Sequence, residues 1–222
     1  MAHAAPEPRA VLWDMDGTLV DSAELHYEAW RVTMREQGRA LSRAEFALTF
    51  GQRNDTILRG ALGADLGPAD IQRIGDSKEV HYRALVHERG VTALPGVREW
   101  LIRLRAAGWR QAIASSGPRL NGQTIAAALG VSELFDAIVS AEDVVHGKPD
   151  PEVFLTAAAR LGVEARRCLV VEDAPTGIEA GRRAGMRTLG VLTTHPHLDA
   201  DRTVRSLADL EPGAFDAMLA RR

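Results

Sequence analysis

The period of hydrophobic and polar positions changes twice along this chain. A fully apolar run, Ala10-Val11-Leu12-Trp13, stops abruptly at Asp14-Met15-Asp16 and a Gly17-Thr18 turn. A short apolar run closed by turn residues predicts a buried strand. From residue 22 to residue 90 the spacing is helical. Leu25, Ala29, Trp30, Val32 and Met34 form one set, and Phe46, Leu48 and Phe50 another. Ile57, Leu58, Ala61 and Leu62 follow, then Ile71, Ile74, Val80, Tyr82 and Leu85, ending near Gly90. Ala40-Leu41-Ser42 and Pro68-Ala69-Asp70 read as inter-helix turns and N-caps. No strand-like alternation interrupts this block, which predicts four or five helices inserted after the first strand.

From Leu94-Pro95-Gly96 onward, helix and strand patterns alternate. Helices are predicted over 97–107, 121–129, 151–161 and 176–184, stopped by Gly108, Gly130, Gly162 and Gly185. Strands are predicted over 111–114, 137–139, 168–171 and 188–192, with a weak sixth element at Val204 and Leu207 before a C-terminal helix. Such alternation means an α/β fold, a parallel doubly wound sheet with right-handed crossovers. The expected organisation is a Rossmann-like core over 9–20 and 92–222, an α-helical cap over 21–91 and a disordered tail over 1–8. Ligands of such sheets bind at the carboxyl ends of the strands.

Composition narrows the class of partner. A chain of 222 residues with 45% hydrophobic and 26% charged residues buries a real core. A formal charge of -3 supplies no basic field, which argues against nucleic acid. No apolar run reaches the roughly 18 residues of a membrane span, and the N-terminal stretch lacks the apolar region of a signal peptide. The single cysteine, Cys168, lies in an apolar strand pattern and forms no internal disulfide. A cytoplasmic protein is the expectation.

Polar residues gather where the sheet should open: Asp14 and Asp16 after strand one, Ser115 after strand two, and Glu172-Asp173 after strand four. Lys148, in Gly147-Lys148-Pro149-Asp150, precedes a helix start. Two carboxylates at spacing two repel unless a cation neutralises them or one keeps its proton. Taken singly, Asp-x-Asp-Gly is also turn chemistry, Ser115 a turn serine, Lys148 a loop lysine and Glu172-Asp173 a helix cap. Together they are the inventory for phosphate chemistry on a magnesium ion.

In this order, Asp14-Met15-Asp16-Gly17-Thr18, Ser115, Lys148 and Glu172-Asp173 around an inserted helical block, the chain resembles the haloacid dehalogenase superfamily. Within it the resemblance is to the β-phosphoglucomutase-like and sugar-phosphate phosphatase subfamily, and it covers roughly residues 9 to 204. It implies Asp14 as the nucleophile forming an aspartyl-phosphate and Asp16 as general acid and base. It implies Mg²⁺ held by Asp14, the backbone carbonyl of Asp16, and Asp173, with Glu172 a ligand or a partner just outside the ligand set. Ser115 and Lys148 would hold the transferring phosphoryl group, with the backbone at Ser116 donating.

The same resemblance assigns substrate choice to the cap. His26 matches a hinge histidine that couples closure to Asp16, and Lys78 a cap lysine that touches substrate; the plain readings are an interfacial histidine and a solvated lysine. With Gly51 as the cap-loop glycine, Asn54 stands where mutases carry an arginine for the second phosphate, with Arg53 one place earlier. Loss of that bidentate anchor favours a phosphatase over a mutase. The expectation is a monomeric, Mg²⁺-dependent phosphatase of a small phosphorylated metabolite, most simply a sugar phosphate. The alternatives are β-phosphoglucomutase activity and a non-catalytic phosphometabolite-binding module.

Overall fold

Every residue of the first strand, β1 (Ala10–Trp13), is buried, so it lies inside the sheet rather than at its edge. The computed structural model describes residues 7–220. Four helices follow β1: α1 (Ala23–Glu36), α2 (Arg43–Thr49), α3 (Asn54–Leu62) and α4 (Pro68–Arg89). The alternating part then runs α5 (Val97–Ala106), β2 (Arg110–Ala114), α6 (Arg119–Ala128), β3 (Ala137–Val139), α7 (Glu152–Leu161) and β4 (Cys168–Glu172). It ends with α8 (Pro175–Arg183), β5 (Arg187–Val191), β6 (Arg202–Val204) and α9 (Ala214–Ala220).

The strands form one parallel sheet in the order β3-β2-β1-β4-β5-β6. The strand order reverses between β1 and β4, and that crevice is where such sheets bind ligands. Alternation along β1 sends Val11 and Trp13 to one face, with Leu101, Leu104, Ile125 and Phe215. Ala10 and Leu12 go to the other, with Phe154, Ala157, Leu161 and Ala180. Both faces are thus covered by helices, the expected doubly wound core.

Three of the tryptophans explain how the C-terminal helix docks. Phe215 lies 4.8 Å from Trp100, 6.0 Å from Trp13 and 6.1 Å from Trp109, ring centre to ring centre. Full burial of such a side chain contributes about 1.5–3 kcal/mol. Trp30 belongs instead to a separate small core of the four helices, with Met34, Phe46, Ile57, Leu58 and Ile74.

The inserted helices begin and end side by side. Leu94 N–H donates to the Leu19 carbonyl at 3.0 Å, and Val20 bridges Ala93. Within the insertion, Ser42 caps α2 in a capping box with Glu45, as its spacing suggests. Two apolar positions of the helical pattern do not pack: Leu48 is exposed on the seven-residue α2, and Val80 is exposed on α4. Both helices cover their neighbours with one narrow face only, so the apolar count overstated the buried stripe.

Of the tail expected over 1–8, residues 1–6 lie outside the described residues. Glu7 and Pro8 are fastened, their carbonyls accepting from Arg167 at 2.6 and 2.8 Å. Cys168 is buried, and burial pushes its thiol up to about 12, consistent with a packing role. Among the described residues no helix is long and apolar enough to cross a membrane.

Candidate active site

Asp14 is the first residue past β1, held there by its N–H donating to the Val171 carbonyl of β4 at 2.9 Å. Its Oδ1 accepts from Lys148 Nζ at 2.6 Å. The same ammonium donates to Glu172 Oε1 at 2.7 Å and to the Ala114 carbonyl at 3.1 Å, so all three of its protons are used. Lys148 is not the solvated loop lysine that it could be when taken singly: a side chain 4% exposed ties three strand ends together. Burial alone would lower the Lys148 pKa, but the charges of Asp14 and Glu172 outweigh it and raise the pKa, so the ammonium is firmly protonated.

Glu172 uses both oxygens. While Oε1 faces Lys148, Oε2 accepts from the N–H groups of Asp173 and Ala174 at 2.9 Å each. This closes the turn into α8 and aims the next side chain. Gly177 in the first turns of α8 leaves the space that Glu172 fills, since a Cβ there would collide with its carboxylate.

Asp173 accepts from Thr18 Oγ1 at 3.2 Å and from the Thr194 hydroxyl. Burial, then the neighbouring Glu172 charge, pushes its pKa up to about 7. Burial also lifts Asp14 well above the carboxylate range, with Glu172 and Asp173 adding to it and Lys148 opposing. Asp14, Glu172 and Asp173 each present an oxygen, and these atoms lie within 4.8 Å of one another. With all three carboxylates ionised, one ammonium would leave negative charge uncompensated, which is why burial and mutual repulsion raise Asp14 and Asp173. Hard oxygen donors in that arrangement fit a divalent cation such as Mg²⁺.

Asp16 faces the other way. The metal contact expected of Asp16 is its backbone carbonyl, and its carboxylate stays out of the acidic cluster. Oδ1 accepts from the Ser22 hydroxyl, lies 3.1 Å from His26 Nε2 and 3.5 Å from the Tyr82 hydroxyl. His26 is stacked on Tyr82, ring centres 3.8 Å apart. Burial raises the Asp16 pKa, but His26, Ser22 and Lys78 outweigh it and hold the carboxyl below its usual range. Asp14 and Asp16, two positions apart, thus have different partners: Lys148 and the acidic cluster for one, Ser22 and His26 for the other.

Ser115 is buried at the end of β2, its Oγ accepting from Gly117 N–H at 3.0 Å. That leaves the hydroxyl proton available to a ligand. Ser115, Ser116, Asp14 and Asp16 line one cavity together with Gly51, Asn54, His26 and Lys78 from the helices above. Only about 40 Å³ is free at its centre. That admits a few water molecules and no sugar phosphate with the helices in this position.

Lys78, offered in sequence as a solvated lysine or a substrate contact, is 2% exposed. Its ammonium is occupied by His26 Nδ1 at 2.8 Å and Glu79 Oε1 at 2.9 Å. Arg53 does not line this cavity. Its Nε lies 3.3 Å from Asp55 Oδ1, and Nη1 donates to the Ala141 carbonyl at 3.3 Å, across the junction with the core. Asn54 donates to Glu79 Oε1 at 2.8 Å. His195, in the loop after β5, rests against the Asp173 carbonyl at 3.1 Å, and neither it nor His197 joins the acidic cluster.

Sequence reasoning overlooked Glu79 and Asn121, because one polar residue on an amphipathic helix carries no signal of its burial. Thr18 and Ser22 were closer to hand, within and just beyond the Asp-x-Asp-Gly-Thr motif.

A doubly wound sheet whose switch point carries an acid–lysine centre beneath an inserted helical cap defines a class, the capped α/β enzymes built on an Asp-x-Asp strand end. The chain belongs to the haloacid dehalogenase-like hydrolases, whose family model matches residues 8–185. It is therefore an enzyme of that family. It is 33% identical to the β-phosphoglucomutase of Bacillus subtilis (strain 168), over 91% of each chain. It is 34% identical to hexitol phosphatase A of Escherichia coli (strain K12), over 82% of each. Its structure matches CbbY of Rhodobacter sphaeroides, solved as a mutant in complex with xylulose-(1,5)bisphosphate. That match has a TM-score of 0.85 and 27% identity, covering 94% of this chain and 98% of the other.

Proposed function

We propose that this protein is a Mg²⁺-dependent phosphatase that hydrolyses a small sugar or polyol phosphate through an aspartyl-phosphate on Asp14. The observation that carries the reading is the opposite placement of the two aspartates: Asp14 on Lys148 and the acidic cluster, Asp16 on His26 and Ser22.

In the first half-reaction an Asp14 oxygen attacks phosphorus and the bond to the substrate alkoxide breaks. Asp16, protonated by the attacking water of the preceding turnover, delivers that proton to the leaving oxygen and is left as the carboxylate. In the second, water attacks the same phosphorus, Asp16 takes its proton, and the Asp14–phosphorus bond breaks to release phosphate. The Ser115 hydroxyl donates to the transferring phosphoryl oxygens, and Lys148 turns to them the proton released as Asp14 gives up its charge to phosphorus, where fixed donors favour the developing charge. Asp14, Asp173 and the Asp16 carbonyl would hold Mg²⁺, with Glu172 orienting Lys148 and Asp173. The bound ion supplies charge neutralisation between the carboxylate nucleophile and the phosphoryl oxygens. The closed cap excludes bulk water.

Phosphatase is favoured over mutase because the two cap cations nearest the cavity, Lys78 and Arg53, are already engaged. Lys78 is neutralised by Glu79, and Arg53 is engaged with Asp55 and Ala141. The similarity to β-phosphoglucomutase keeps the mutase as the second reading. The deciding experiment supplies Mg²⁺ with β-glucose 1-phosphate primed by the 1,6-bisphosphate, and sorbitol 6-phosphate in parallel. Inorganic phosphate and glucose 6-phosphate are followed together, with Asp14→Asn as the control. Phosphate release abolished by Asp14→Asn is the expected result. Glucose 6-phosphate without matching phosphate release would establish the mutase.

A further inference from the structure

We propose that Asn121, acting through Glu79, is a positioning residue that registers closure of the helical cap and passes it to Asp16. The proposal rests on the phosphatase reading of the same site.

Asn121 is fully buried in the first turn of α6, directly after the Ser115-Ser116-Gly117 turn of the core. Two residues one turn apart on α4 grip its side-chain amide. Nδ2 donates to Glu79 Oε2 at 2.6 Å, and Oδ1 accepts from Arg83 Nη1 at 3.0 Å. A carboxylate on one side and a guanidinium on the other leave the amide a single orientation.

Glu79 carries the contact onward. Its second oxygen accepts from Lys78 Nζ at 2.9 Å and from Asn54 Nδ2 at 2.8 Å. Lys78 in turn reaches His26 Nδ1, and His26 Nε2 reaches Asp16. An ammonium only donates, so His26 Nδ1 must accept and Nε2–H must point at Asp16. The line Asn121–Glu79–Lys78–His26–Asp16 begins and ends on the core and passes through the helices of the insertion. It is complete only while α4 rests on α6.

That condition matters because the cavity over Asp14 and Asp16 is too small for a sugar phosphate with α4 in this position. When α4 lifts, Glu79 loses its core donor and is hydrated, and its hold on Lys78 weakens as the local dielectric rises. On closure the amide of Asn121 restores a charge-assisted bond, the stronger kind of hydrogen bond. His26 is then fixed against the acid that must protonate the leaving oxygen. A merely structural Asn121 would hold the fold together without affecting that proton.

The test reverses the polarity of the pair. Asn121→Asp sets two carboxylates face to face. The double variant Asn121→Asp with Glu79→Gln exchanges donor and acceptor, yet keeps a partner for Arg83, Lys78 and Asn54. The full chain with Mg²⁺ is assayed on sorbitol 6-phosphate, whose alkoxide needs a proton to leave, and on p-nitrophenyl phosphate, whose phenolate does not. Hydrogen exchange of 68–89 is measured without substrate.

The single variant should lose about tenfold to a hundredfold in kcat/KM on sorbitol 6-phosphate, the scale of one broken buried charged contact. It should lose several-fold less on p-nitrophenyl phosphate, and 68–89 should exchange faster. The double variant should recover to within about threefold of the parent. An unchanged single variant, equal losses on both substrates, or a folded double variant that stays impaired would each overturn the proposal. If the parent releases phosphate from neither compound, the phosphatase reading fails. The exchange rates then decide the clamp separately: faster in the single variant and restored in the double supports it, and no change overturns it.

Discussion

Lys78 Nζ stands 2.8 Å from His26 Nδ1, wholly inside the protein, so a cation of the inserted helices fixes the tautomer of a histidine aimed at Asp16. Removing that cation has two separable consequences. Lys78→Met leaves the Glu79 carboxylate buried without its charge partner, a change that costs about 3–5 kcal/mol. The melting temperature should fall sharply. Adding Glu79→Gln should return most of the stability, because an amide is far cheaper to bury. Activity should not return, since His26 still lacks its donor. Thermal melts and steady-state rates on the three proteins check both halves.

Lys148 bonds through one compact ammonium to groups at the ends of β1, β2 and β4. Lys148→Met should lower phosphate release by more than about a hundredfold, the scale of losing one preorganised donor to the transferring group. Lys148→Arg should not rescue it, because a planar fork is bulkier than the ammonium pocket. Single-turnover measurement of phosphate release distinguishes this from a change in substrate affinity.

Asp173 links metal and pH. In the metal-free protein its folded pKa is raised to about 7, by burial first and by Glu172 next. The unfolded chain therefore ionises first, the folded state binds more protons between the ordinary carboxylate range and pH 7, and stability falls as pH rises through that window. Mg²⁺ binds the ionised form, so protons compete with it below pH 7. The rise in melting temperature on adding Mg²⁺ should be larger at pH 8 than at pH 5. Asp173→Asn should raise the melting temperature of the metal-free protein at pH 8 and abolish the response to Mg²⁺.

Gly177 offers a test of the acidic cluster without touching a charge. Its missing Cβ leaves the space for the Glu172 carboxylate, which three hydrogen bonds hold in place. Gly177→Ala should displace Glu172 and cut activity at least about tenfold while the chain stays folded. Gly60→Ala in α3, where a Cβ meets nothing within 4 Å, should be neutral or stabilise by about 0.5–1 kcal/mol. Circular dichroism melts beside activity assays separate the two.

Local pattern alone was enough for the sheet and its mouth. Four apolar residues ending in Asp14-Met15-Asp16, and the alternation after Gly96, determine a parallel sheet with carboxylates at its open edge, because strand and helix periods are properties of neighbouring residues. The same locality explains what only the tertiary structure decided. The sequence around Lys78 and Glu79 reads as one solvated turn of a long helix, and Asn121 as a polar position on another. Their burial depends on α4 meeting α6, with Glu79 and Asn121 42 positions apart in the chain. Glu172 and Asp173 are adjacent acids in sequence, and only folding turns one onto Lys148 and backbone N–H groups and the other toward Thr18 and Thr194. Partners of a long side chain are set by packing between distant segments, which no period along the chain encodes.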